Sequence, residues 1–151
     1  MDNISDKPQA IELKVFCDDR GVFVPVMDEL QNLDPKIGRI ERIYYVANPT
    51  RGVIRGFHYH KKEWKFFTIV KGSAKFVAVD PDKPEVIYSF IGSDRKANLI
   101  NIPPGYANGW VSLEDGTVLL CASTADTKGS IADDKRFDPF KFGDVWTVKG
   151  R

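Results

Sequence analysis

An all-β sandwich or barrel is the fold class this 151-residue chain predicts, on three observations. Short apolar or alternating segments recur along its length, turn residues separate them at regular intervals, and nothing supports a helical layer. The first strand is expected at Ile11–Cys17, where Ile11, Leu13 and Val15 alternate with Glu12 and Lys14. Asp18-Asp19-Arg20-Gly21 then turns the chain into Val22–Met27. Further strands are expected at Arg39–Val46 and, after Asn48-Pro49-Thr50, at Val53–His60. Lys65–Val70 is a nearly unbroken apolar run; Lys71-Gly72-Ser73 leads from it to Ala74–Val79. Two prolines in Asp80-Pro81-Asp82-Lys83-Pro84 precede Val86–Ile91. Leu99–Ile102, the turn Pro103-Pro104-Gly105, Gly109–Ser112, the turn Glu114-Asp115-Gly116 and Thr117–Ser123 complete the series. Only Asp28–Leu33 could hold a helical turn. From Thr127 to Arg151 the chain is charged yet carries Phe137, Phe140, Phe142 and Trp146, so this tail is expected to pack on the body or on a second subunit.

Composition narrows the function. The length suits one domain, residues 1–151, with its own core. Lysine and arginine number 22 against 21 aspartates and glutamates, a formal charge of +1, so no overall field draws the chain to nucleic acid or to an anionic membrane. Any anion must be held by a local cluster of arginines and lysines. Cys17 and Cys121 are too few for a disulfide framework and have no metal-type spacing. The first residues lack an apolar signal core and no run reaches membrane-spanning length, so a cytoplasmic protein is expected.

His58 and His60 are the only histidines, one residue apart in Arg51-Gly-Val-Ile-Arg-Gly-Phe-His-Tyr-His60. Side chains two apart on a strand share a face, so both imidazoles should enter one cavity. Histidine titrates nearest neutrality, which suits it to proton transfer or metal ligation.

The segments Arg55-Gly-Phe-His58-Tyr-His60, Lys65 with Gly72, and Pro103-Pro-Gly-Tyr-Ala-Asn108 resemble the two motifs of the cupin superfamily. Metal-binding cupins place glutamate where Lys65 stands and histidine where Asn108 stands. A lysine ammonium repels a divalent ion and an amide is a weak ligand, so neither metal nor other cofactor is expected. Asp18-Asp-Arg20-Gly-Val-Phe23, Arg51-Gly-Val-Ile-Arg55-Gly-Phe-His58 and Ile102-Pro-Pro-Gly-Tyr-Ala are similar to segments of the metal-free dTDP-4-dehydrorhamnose 3,5-epimerases. The resemblance implies a jelly-roll cupin barrel, a double-stranded β-helix, acting on a nucleotide sugar in deoxysugar or surface-polysaccharide synthesis. It also implies a homodimer whose Arg20 and Phe23 approach the partner's pocket.

By the same resemblance His58 is the base that takes a proton beside a ketone, and Lys65 stabilises the enolate. Arg55, with Arg20 and Arg51, would hold the diphosphate, the guanidinium fork being shaped for it. Phe23, Tyr45 and Asn108 would complete the substrate site. Three departures stand out: Cys121 occupies the position of the epimerases' opposite-face tyrosine, Asn108 that of a histidine, and no counterpart of the aspartate that orients the base is expected. Arg42-Ile-Tyr44-Tyr45 and Arg55-Gly-Phe-His58-Tyr-His60-Lys61-Lys62 are similar to segments of nucleotide-sugar 3,4-ketoisomerases. There, two same-face histidines could move a proton between neighbouring carbons, giving His60 a catalytic part. Epimerisation and ketoisomerisation both remain open at this point. A degenerate cupin that only binds a sugar nucleotide or a partner protein is the alternative, and a metal-dependent cupin is disfavoured by Lys65 and Asn108.

Overall fold

The structure is a computed structural model, and it describes residues 4–27 and 34–151. The strands run β1 (Gln9–Glu12), β2 (Phe16–Asp18), β3 (Gly21–Phe23), β4 (Arg42–Asn48), β5 (Ile54–Tyr59) and β6 (Lys65–Lys71). They continue as β7 (Ser73–Val79), β8 (Ile87–Ser93), β9 (Asn98–Ile102), β10 (Ala107–Ser112) and β11 (Thr117–Ser123). Helix α1 (Thr127–Ala132) and β12 (Lys135–Arg136) follow. One sheet has the order β1-β9-β6-β11-β4 and the other β12-β5-β10-β7-β8, while β2 and β3 form a separate ribbon. Strands distant in sequence alternate within both sheets, which is the expected jelly roll.

Period-two patterning decides what each sheet buries. Phe67, Ile69, Ile100, Leu119 and Cys121 face Ala74, Phe76, Ala78 and Trp110 between the sheets. Residues of opposite parity on the first sheet, Phe66, Leu99 and Ala122, pack outward against Ile4, Leu13, Ile37 and Trp64. On the outer side of the second sheet lie Phe57, Val77, Val79, Ala107 and Val111, covered by Trp146. The tail therefore packs on its own body. Its Phe142 and Trp146 rings sit 5.1 and 5.0 Å from Phe57, while Phe140 stays exposed.

Two expectations need correction. The strand expected at Ile11–Cys17 breaks into β1 and β2, because Leu13 turns into the outer core and its N–H bonds the Ala97 carbonyl. A helix forms at Thr127–Ala132, where none was expected; the Asp126 side chain caps it by accepting from the Gly129 N–H at 2.7 Å. The helical turn considered at Asp28–Leu33 lies outside the described residues.

Gly56 on β5 and Gly109 on β10 let the two central strands of the second sheet approach closely. A Cβ at Gly109 would meet the Arg55 carbonyl oxygen at 2.6 Å and the Gly56 Cα at 2.8 Å, with the Trp146 ring at 3.0 Å. Register shifts at this point, between Asn108 opposite His58 and Trp110 opposite Arg55. Gly109→Ala is expected to destabilise the fold by about 1–3 kcal/mol through overpacking against backbone. The check is the urea midpoint, which should fall with an unchanged slope.

Candidate active site

At the open end of the sandwich, where β4 and β11 face β5 and β12, a cavity of about 380 Å³ lies between the sheets. Strand register explains its lining. Across the first sheet, inward positions fall in rows: Lys65–Ser123–Arg42, then Phe67–Cys121–Tyr44. From the second sheet come His58, Asn108 and Arg55, and from the tail Ser130, Asp134 and Arg136. Four cationic side chains, Arg42, Arg55, Lys65 and Arg136, line the space against one carboxylate, Asp134, so the site favours an anion.

His58 is partly exposed to the cavity, and its Nδ1 lies 3.2 Å from Asp134 Oδ1. An Nδ1–H donated to that carboxylate leaves Nε2 as the free base. Asp134 is held in turn by Arg136 Nε at 2.9 Å. Burial alone would raise the Asp134 carboxyl, but the bonds from Arg136 and His58 outweigh it and keep it below the usual carboxylate range. A carboxylate that the sequence reading did not expect thus stands beside His58 Nδ1. Strand β12 pairs with β5, setting Arg136 opposite His58, and brings Asp134 alongside.

Burial, followed by the positive charge of Lys65, outweighs Asp134 and lowers His58 below its ordinary value, so the imidazole is neutral at pH 7. Lys65 is itself buried, and desolvation pulls its ammonium down despite the opposing charge of Glu63. His60 behaves differently from His58. It is 4 % exposed, with Nε2 3.2 Å from Glu63 Oε2 and 3.4 Å from Ser130 Oγ. The two histidines share a parity and both line the cavity, His58 partly exposed and His60 almost wholly buried.

Asn108 lies opposite His58 and donates its amide to the His58 and Tyr106 carbonyls, both at 3.2 Å. Arg55 reaches the rim, its Nε bonded to Asn48 Oδ1 at 2.7 Å. The other expected residues lie elsewhere in this chain. Arg20 and Phe23 project on the β2–β3 ribbon, Arg20 paired with Asp18. Arg51 stands on an exposed turn, its N–H bonded to Asp115. Tyr45 is 74 % exposed on the outer face of β4, and Tyr44 is the one that lines the cavity.

Arg42, Tyr44, Ser130, Asp134 and Arg136 were not among the expected site residues. A signal existed for the β4 pair: Arg42, Tyr44, Val46 and Asn48 share one parity, and Asn48 is fully buried. The tail residues gave none, because a two-residue strand has no readable period. Chemically, the pocket offers an oriented neutral imidazole on one wall and a cation on the other. That arrangement can remove a proton beside a carbonyl and hold the resulting oxyanion. The donor set does not fit a metal: Lys65 is a cation, Asn108 spends its amide on backbone, and among the described residues no three histidine, cysteine or carboxylate side chains gather to bind one.

Comparison with known proteins bears on the family and the fold. Residues 6–136 match the family described as dTDP-4-dehydrorhamnose 3,5-epimerase. The chain is 29 % identical over 148 residues to the spore coat polysaccharide biosynthesis protein SpsL of Bacillus subtilis, covering 93 % of this chain and 95 % of that protein. It superposes on a dTDP-4-dehydrorhamnose 3,5-epimerase from Sulfolobus tokodaii with a TM-score of 0.80 and 26 % identity, over 98 % of this chain and 85 % of the other. A sugar 3,4-ketoisomerase from Thermoanaerobacterium thermosaccharolyticum, solved with TDP, shares the fold at a TM-score of 0.70 and 24 % identity, over 87 % and 88 %.

With two histidines in the chain, imidazole resonances can be followed singly by NMR. His58 should titrate below the ordinary value of about 6.5. Lys65→Met should move that midpoint upward, because removing a neighbouring positive charge favours the imidazolium. A midpoint unchanged or lowered in Lys65→Met would contradict this account of the electrostatics.

Proposed function

The chain belongs to the dTDP-4-dehydrorhamnose 3,5-epimerase family, and we propose that it isomerises a nucleoside-diphosphate 4-keto-6-deoxyhexose by proton abstraction beside the ketone. The observation that carries this reading is His58, oriented through Nδ1 by Asp134 and facing Lys65 across a cationic cavity. His58 Nε2 takes the proton from carbon. The electrons move into the carbonyl, and the Lys65 ammonium meets the negative oxygen in a site shielded from water, where such an interaction is strong. Arg55 and Arg136, at the rim, bind the diphosphate. The relative from B. subtilis, named for spore coat polysaccharide biosynthesis, supports a place in surface-polysaccharide synthesis. Nucleotide sugars of this kind are small soluble metabolites, which fits a cytoplasmic enzyme.

A homodimer is part of the proposal. The β2–β3 ribbon joins neither sheet, and it exposes Phe16, Val22 and Phe23 beside Arg20. Exposed apolar strands of this kind call for cover, and a second copy whose cavity receives Phe23 and Arg20 supplies it. Sedimentation at micromolar concentration should give twice the chain mass. Phe23→Asp should shift the equilibrium to monomer.

The reaction is tested with dTDP-4-keto-6-deoxyglucose in deuterated water. Deuterium should enter the substrate at a carbon flanking the ketone, and His58→Gln should slow that entry by about 10²–10⁴-fold while nucleotide binding persists. Arg55→Ala should weaken binding first. Full exchange in His58→Gln would refute the mechanism.

A further inference from the structure

We propose that Tyr44 is the proton donor on the face opposite His58, so that the reaction ends in inversion at the carbon that His58 deprotonates. The inference rests on the proposed proton abstraction and adds its second half. Tyr44 belongs to the inner row Phe67–Cys121–Tyr44 of the first sheet, whereas His58 belongs to the second sheet. The cavity of about 380 Å³ that both side chains line has room for a sugar ring between them. A molecule in the cavity thus has the imidazole on one side and the phenol on the other.

Two neighbours fit the phenol to this role. Cys121, directly beside Tyr44 across the β4–β11 pair, is small and fully buried, so the tyrosine ring has the space between them. The Cys121 thiol is itself pushed up to about 12, chiefly by burial, so it is neutral and does not compete as a charge. The Arg42 guanidinium sits over the Tyr44 ring, 4.8 Å from its centroid, placed to stabilise the phenolate left after donation. Burial first, then the neighbouring thiol, raises the Tyr44 phenol well above its ordinary value, so it carries its proton at every physiological pH. A residue needed only to fill space here could have been phenylalanine, as at Phe67 in the same row; the hydroxyl is what requires an explanation.

The step balances. His58 Nε2 removes the carbon proton, and the C–H electrons form the enolate, held by Lys65. The enolate carbonyl re-forms as the same carbon takes the Tyr44 hydroxyl proton from the other side. The products are the inverted sugar, an imidazolium at His58 and a phenolate at Tyr44. After release, His58 returns its proton to solvent and Tyr44 regains one from it.

Tyr44→Phe separates the two halves. With dTDP-4-keto-6-deoxyglucose in deuterated water, followed by NMR, the unaltered protein should exchange and invert. Tyr44→Phe should keep His58-dependent exchange at the same carbon, with retained configuration, while inversion drops by about 10²–10⁴-fold. Inversion by Tyr44→Phe at the rate of the unaltered protein would overturn the assignment. Equal loss of exchange and inversion would also overturn it, marking the ring as structural. A product with a moved ketone from the unaltered protein would overturn the assignment and leave proton abstraction standing. No exchange at all in the unaltered protein would overturn the proposed reaction itself.

Discussion

A carboxylate removed from water must be met by donors on every side, and Glu63 imposes that requirement on the whole pocket. Its side chain is 1 % exposed; it accepts from Ser123 Oγ, Ser130 Oγ and Arg42 Nη2 at 2.5, 2.8 and 3.1 Å, and His60 Nε2 lies 3.2 Å away. Those partners come from β11, α1, β4 and the end of the histidine strand, so one buried charge joins both sheets and the tail. Losing one partner of such a group typically costs about 3–5 kcal/mol, because the charge cannot leave. The same bonds set the chemistry. They hold the His60 ring against Glu63 at the cavity wall and fix the Arg42 guanidinium, whose other face then covers Tyr44.

The sandwich also divides labour between its sheets. The second sheet supplies the imidazole and, through β12, its orienting carboxylate; the first supplies the buried cation of Lys65. Keeping Lys65 and His58 on facing walls has an electrostatic benefit, since the Lys65 charge lowers the affinity of His58 for a proton while both line the same cavity. A base and a cation on one strand would leave one face of the ligand without chemistry.

Much of this was legible in the chain, and the illegible part has physical reasons. Strands with a distinct apolar run bounded by turn residues, such as Lys65–Lys71 and Thr117–Ser123, were placed almost to the residue, because burial writes itself into sequence. Period two also put His58 and His60 on one face, but it carries no information on which of them a turn residue will claim, and Glu63 lies in such a turn. Tyr44 and Tyr45 were confused because adjacent tyrosines satisfy either parity; the buried Asn48 farther along β4 distinguishes them. Asp134 is 76 residues from His58, and their contact is made by a strand too short for any pattern, so only tertiary structure discloses it.

That short strand has a kinetic consequence. The sheets hold together through long ladders and an apolar interior, whereas Asp134 is presented by a short edge pairing of Lys135 and Arg136, with the Phe57–Phe137 backbone bonds beyond it and the Asp133 bonds to the Lys61 and Lys62 N–H groups before it. Segments with few ladder bonds open far more often than the core around them. Catalytic competence and structural integrity therefore come apart in this molecule. During a brief fraying of its C-terminal edge the barrel persists in full, yet His58 is free to rotate and to exchange its tautomers. The turnover-ready state is thus a subset of the folded state, and its population depends on this edge pairing.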